Sequence, residues 1–167
     1  MILAYDLASQ TGLAIGAADR PAPILRTLNF GGDQLSQGAM LNGALRTFLS
    51  NIEEYSPTLV VFEKPVASGV PGGASRIELA MGWRAMLKVA AYQKNVPIHE
   101  YGVQSVRPHF IGAGKRRRGE AKKQVQERCR ELRWGCKNSD EADAAALWAY
   151  ACFKMINRDF GVPFGLF

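Results

Sequence analysis

The sequence predicts an α/β sandwich: a five-stranded mixed sheet, three antiparallel strands joined to two parallel ones, with helices on both faces. Three observations carry this reading. Three extended segments open the chain in succession. A continuously apolar run, Thr58 to Phe62, follows the first long amphipathic stretch, and most of the remaining apolar periodicity is helical. A strand apolar at every position is buried on both faces, so layers must pack on either side of it.

Ile2 to Tyr5 is apolar and runs into Asp6, and Thr11 to Ala18 forms a second run after the polar Ser9-Gln10 link, which reads as a hairpin. Ile24 to Phe30 is the third extended segment, set off by Pro21-Ala22-Pro23 and closed by Gly31-Gly32. From about Leu35 to Tyr55, Leu41, Leu45, Phe48, Leu49 and Ile52 recur three and four apart, and Ser56-Pro57 ends this helix. The strand Thr58 to Phe62 then delivers Glu63 at its carboxyl end. Lys64 to Ser75, rich in Pro, Gly and Ser, reads as a mobile loop. A helix from about Arg76 to Lys94 follows, with apolar residues over roughly 200° of its circumference, enough to bury two faces. A short strand, Ile98 to Tyr101, leads into an irregular basic stretch, and helices at about Glu120 to Leu132 and Asp140 to Ile156 complete the chain.

The 167 residues match one domain, expected to span 1–167, and no internal repeat or low-complexity tract interrupts them. The 47% hydrophobic and 22% charged fractions exclude disorder and fibrous repeats. Cys129, Cys136 and Cys152 are odd in number and wrongly spaced for a disulfide framework or a metal knuckle, as expected for a reducing cytoplasm. No run is long and apolar enough for a membrane span, and the N-terminus lacks a basic leader, so no membrane partner is expected.

The chemistry lies in the placement of carboxylates. Asp6 ends the first strand, Glu63 ends the fourth, and Asp140 and Asp143 lie three apart in the first turn of the last helix. If the first and fourth strands are neighbours, these groups converge. Such a cluster stays ionised only when a cation neutralises it, and all-oxygen ligands favour Mg²⁺, with Mn²⁺ able to substitute. Two ions per site would activate a water and stabilise the leaving oxygen in phosphodiester hydrolysis. Each acid also has a structural role open to it. The helix-start pair can compensate the dipole, with Ser139 equally able to cap, Asp6 can be a turn residue, and Glu63 can pair with Lys64. Glu141, about 100° around the helix from Asp140, reads as solvated or supporting.

The blocks Ile2-Leu3-Ala4-Tyr5-Asp6 with Thr11-Gly12-Leu13-Ala14-Ile15-Gly16, then Val60-Val61-Phe62-Glu63, then Asp140 to Leu147 resemble the three acidic blocks of RuvC-type Holliday-junction resolvases, of the ribonuclease H-like superfamily. Val96 to Tyr101 and Lys122 to Gln126 extend the resemblance over nearly the whole chain. It implies a ribonuclease H-like three-layer sandwich and a metal-dependent endodeoxyribonuclease acting on four-way or related branched DNA. Asp6, Glu63, Asp140 and Asp143 would be its metal-binding catalytic acids, with Arg107 and Lys122 near the scissile phosphate. It further implies a homodimer cutting two opposed strands to leave 5′-phosphate and 3′-hydroxyl ends, in the cytoplasm of a bacterium or phage-infected host. Leu7-Ala8-Ser9 stands where the family often has Pro-Gly, as in shorter phage or prophage members, and the segment after Glu63 lacks the aromatic that some members carry.

The net charge of +6 divides unevenly. Arg107 to Lys137 holds eleven Lys or Arg against three Glu, net +8, and the remainder is net −2. Lys115, Arg116, Arg117 and Arg118 lie between glycines, and Lys122 and Lys123 open the next helix, a pattern suited to a phosphate backbone, although the helical part could equally be a solvated face. Trp83, Trp134 and Trp148 read as core, and His109 as structural or exposed. An RNA-processing nuclease of the same superfamily and a non-catalytic junction-binding protein remain open as alternatives.

Overall fold

The computed structural model describes residues 1–32, 34–64, 73–113 and 119–156. Its strands are β1 (Ile2–Asp6), β2 (Gln10–Gly16), β3 (Ile24–Asn29), β4 (Leu59–Glu63) and β5 (Ile98–Tyr101). Its helices are α1 (Gln37–Tyr55), α2 (Gly73–Gln93), α3 (Val103–Ile111), α4 (Glu120–Glu131) and α5 (Ser139–Ile156). The sheet order is β3-β2-β1-β4-β5. β1, β2 and β3 pair antiparallel, and β4 runs parallel to both β1 and β5. The predicted mixed sheet is therefore observed, with β1 and β4 adjacent at its centre.

Strand alternation sorts the side chains into two cores. Ile2 and Ala4 of β1, Ala14 of β2 and Leu59 and Val61 of β4 pack with residues of α3, α4 and α5. Leu3, Tyr5, Leu13, Ile15, Val60 and Phe62 face the opposite way, against α1 and α2. Both layers are knitted by aromatics. Tyr5 and Phe30 each meet Phe48 edge-on, and Trp134 meets Trp148 edge-on at 5.7 Å. Polar atoms of these buried rings are satisfied: Trp148 Nε1 donates to the Gly16 carbonyl and Asn51 Nδ2 to Tyr5 Oη. All three tryptophans are buried, as expected.

Local signals explain the helix ends. Ser36 caps α1, its Oγ accepting from Ala39 N, and Ser56 closes it in the left-handed region just before Pro57. Asn138, rather than Ser139, caps α5: its Oδ1 accepts from the backbone N–H groups of Asp140 and Glu141. The stretch expected to be irregular contains α3, with Val106 and Phe110 buried four residues apart. The loop expected from Lys64 to Ser75 is shorter at its far end, because α2 begins at Gly73; residues 65–72 lie outside the described residues. α2 buries Trp83, Leu87, Ala90 and Ala91, yet leaves Ile77, Met81, Val89 and Tyr92 exposed. The expectation of two buried faces is thus corrected: among the described residues one face is covered, by α1 and the sheet. Among the described residues no helix is long and apolar enough to cross a membrane.

α5 lies directly on the sheet, and Gly12 sets its height. A Cβ at Gly12 would fall 1.9 Å from the Asp140 carbonyl oxygen, so only glycine lets the first turn of α5 settle there. The alanines of α5, among them Ala142, Ala145, Ala146 and Ala149, keep the approach close along its length. Gly12→Ala is accordingly expected to destabilise the fold by about 1–3 kcal/mol, the usual cost of forced overpacking. Thermal or denaturant unfolding measures it; a wild-type midpoint would contradict the packing described.

Candidate active site

β1 and β4 run in parallel register with Tyr5 beside Phe62, so the next residues, Asp6 and Glu63, emerge side by side at the carboxyl ends of the two central strands. The alternation that sends Ala4 and Val61 into the α5 layer sends these two acids to the same face. α5 starts over Gly12, the partner of Asp6 in the ladder, and so brings Asp140 and Asp143 above that pair. Each carboxylate foreseen in the sequence is therefore brought to one end and one face of the sheet.

Asp143 is the most engaged of the four. It is buried, and its Oδ2 accepts from Arg107 Nη2 at 3.1 Å and lies 3.7 Å from Lys122 Nζ. Arg107 comes from α3 and Lys122 from the first turn of α4, so the two helices after β5 supply the cations. Lys123 is exposed on the same turn of α4, and Lys115, Arg116, Arg117 and Arg118 lie outside the described residues.

Asp6 bears the electrostatic cost. Burial, then the charges of Asp143 and Glu63, push its pKa from the ordinary 3.8 up to about 7, with Lys122 opposing. Glu63 is also raised by burial and by Asp143, against the pull of Arg107, Arg84 and Lys122. Burial is thus the main cause at both acids, and at Asp6 the charges of Asp143 and Glu63 add to it ahead of the opposing Lys122. Among the described residues, however, no three Asp, Glu, His or Cys side chains form a ready-made metal cage. Asp143 directs one oxygen, Oδ2, to Arg107 and Lys122.

One participant, Arg84, escaped the sequence reading, and of the two roles open to Glu141 the supporting one holds. Glu141 is 2% exposed, accepting from Thr27 Oγ1 and from Lys137 N, both at 2.8 Å. It pins the start of α5 to β3. Its signal was the neighbouring Asn138 cap, whose Nδ2 donates to the same Thr27 hydroxyl. Arg84 reaches the site from α2, in the opposite layer. Its Nη1 donates to the Ala80 carbonyl at 2.6 Å, its buried Nε has no hydrogen-bond partner among the described residues, and its charge supports the ionised forms of Glu63 and Asp6. An arginine within a predominantly apolar helix was the available clue. His109 packs against Tyr150 and Phe153, a structural position.

No protein-family model and no curated protein sequence matches the chain. Solved structures do. T. thermophilus RuvC in complex with Holliday junction substrate aligns with a TM-score of 0.71 at 15% identity, over 92% of this chain and 93% of that one. A second Thermus thermophilus RuvC structure gives 0.68 at 20% identity, over 95% and 97%. The yeast mitochondrial Holliday junction resolvase Ydc2 gives 0.61 at 14%, over 93% and 81%. The fold is therefore RuvC-like, which is ribonuclease H-like.

The raised Asp6 pKa makes stability pH-dependent in the metal-free protein. A carboxyl group that holds its proton more tightly when folded contributes stability below pH 4, and that contribution is lost as the pH rises toward about 7. Asp6→Asn should remove this loss and stabilise the metal-free protein at pH 8 by on the order of 2 kcal/mol relative to wild type. Unfolding curves of both proteins at pH 4 and pH 8 check it; equal pH dependence would contradict the crowding of the acids.

Proposed function

We propose that this chain, with residues 1–167 acting as one nuclease domain, is a metal-dependent endodeoxyribonuclease that resolves Holliday junctions or related branched DNA. The observation that carries the reading is the convergence of Asp6, Glu63, Asp140 and Asp143 at the carboxyl ends of β1 and β4, with Arg107 and Lys122 on Asp143. The RuvC-like fold supports the same conclusion, since one of those neighbours was solved with a Holliday junction substrate.

The donor atoms are all carboxylate oxygens, which suits hard divalent cations, Mg²⁺ with Mn²⁺ substituting. Asp6, Glu63, Asp140 and Asp143 would hold two such ions. Bound there, the ions supply a water of lowered pKa and Lewis-acid stabilisation of the leaving oxygen. The chain's own residues set the geometry. Arg107 and Lys122 present positive charge where the scissile phosphate would lie, and on its arrival they exchange Asp143 for phosphate oxygens. Hydrolysis breaks the bond between phosphorus and the 3′-oxygen, leaving 5′-phosphate and 3′-hydroxyl ends. The segment containing Lys115, Arg116, Arg117, Arg118 and Lys123 would extend the grip along the backbone, reading shape rather than sequence.

Resolution needs two cuts on opposed strands, hence two copies of the site. The exposed face of α2 supports a homodimer. Ile77, Met81, Val89 and Tyr92, spaced four, eight and three residues apart, fall within an arc of about 120° opposite the covered face. Large apolar side chains in such a stripe mark an association surface.

Asp6→Asn and Glu63→Gln should each cut a synthetic four-way junction on the order of 100-fold or more slowly than wild type under Mg²⁺. Flap DNA and an RNA–DNA hybrid run in parallel distinguish the proposed substrate from other nuclease targets. Undiminished cleavage by either variant would overturn the site, and binding without cleavage by wild type would overturn the activity. For the dimer, Met81→Glu should sediment as a monomer and lose paired nicking; an unchanged sedimentation coefficient would overturn that surface.

A further inference from the structure

The sheet end that carries the acids also carries a neutral polar groove. Gln10 of β2 pairs with Asn29 of β3, and Thr27 pairs with Gly12 two residues inward. Ala14 is buried beneath α5, so Gln10, four residues earlier on the strand, faces the same side, as do Asn29 and Asp6. α5 begins above Gly12, which leaves the Gln10–Asn29 pair just outside its first turn, and both residues are exposed. Ser9, Gln10, Thr27, Asn29, Gly31 and Gly32 line a groove of about 510 Å³, within the ~300–1,000 Å³ of small-ligand clefts.

The lining selects among parts of a nucleotide. Among the described residues its lining carries no charge, which suits it poorly to phosphate, and the Arg107–Lys122 side of the site already serves that group. Thr27 is committed to Glu141 and Asn138. Asn29 Oδ1 accepts from Gly31 N, which leaves the Asn29 amide donors, together with the donor and acceptor of Gln10, for a ligand. Paired donors and acceptors on carboxamides match the edge of a nucleobase. Two residues of strand separate Gln10 from the Gly12–Asp6 row, ~7 Å, or about two base steps along a DNA strand.

We propose that the Gln10–Asn29 carboxamide pair reads the edge of a nucleobase flanking the scissile phosphate, which makes this groove the determinant of cleavage-sequence preference. The inference rests on the nuclease reading above and adds to it a base-reading contact beside the phosphate-directed ones.

The test uses a pool of four-way junctions randomised around the crossover, cut under Mg²⁺ by wild type, Gln10→Ala, Asn29→Ala and Gln93→Ala, with every cut position sequenced. Wild type should favour particular bases, and Gln10→Ala and Asn29→Ala should each flatten that preference about tenfold, within the range one bidentate side chain–base pair contributes. Gln93→Ala, an exposed glutamine at the far end of α2, should keep the wild-type distribution. Slower cutting by the two groove variants with an unaltered distribution would overturn the inference and leave the nuclease reading intact. So would a wild type that cuts junctions without preference. A wild type that cuts no junction would overturn the nuclease reading itself.

Discussion

The approach of α5 to β2 at Gly12 is the contact on which the rest of the site depends. A side chain there would occupy the space of the Asp140 backbone, so the absence of a Cβ decides how close the helix lies. Everything at the start of α5 reinforces that placement. Asn138 caps the first turn, and Glu141, buried, is held between Thr27 and the Lys137 amide. A carboxylate taken from water needs such partners, and here they come from β3 and from the connection before the helix. The result is a helix start that holds Asp140 and the buried Asp143 near Asp6.

Electrostatics at this corner works against folding. Asp6 is pushed up to about 7 by burial and by Asp143 and Glu63, while Arg107, Lys122 and Arg84, drawn from α3, α4 and α2, only partly relieve the acids. Residues from both layers thus converge on one strained cluster that the packed sheet is stable enough to tolerate. Sites kept at the expense of stability are where function is usually found. A bound divalent cation and a phosphate, one of each charge, would satisfy the acids and the freed bases together, which is the physical basis of the proposed nuclease chemistry.

Much of this was legible because it is written in local patterns. The run Thr58 to Phe62 announced a central strand, observed from Leu59, and acids at strand ends and at a helix start announced a shared site. What stayed hidden depended on partners distant in sequence. α3 is short, holds Pro108 and mixes Arg107 and His109 with its two buried residues, so its period is faint. Glu141 is buried only because Thr27 lies 114 residues earlier on a neighbouring strand. The second apolar face of α2 was visible, but nothing in the sequence said that no part of the chain's described core would cover it. The acids, too, were visible, whereas the ion pairs of Asp143 with Arg107 and Lys122 were not.

The most direct measurement of the central claim is the mapping of both product ends when the wild-type protein cuts an immobile four-way junction labelled on each strand. Symmetric nicks on two opposed strands are expected, each leaving a 5′-phosphate and a 3′-hydroxyl. Nicks confined to one strand, or ends of the opposite polarity, would contradict it.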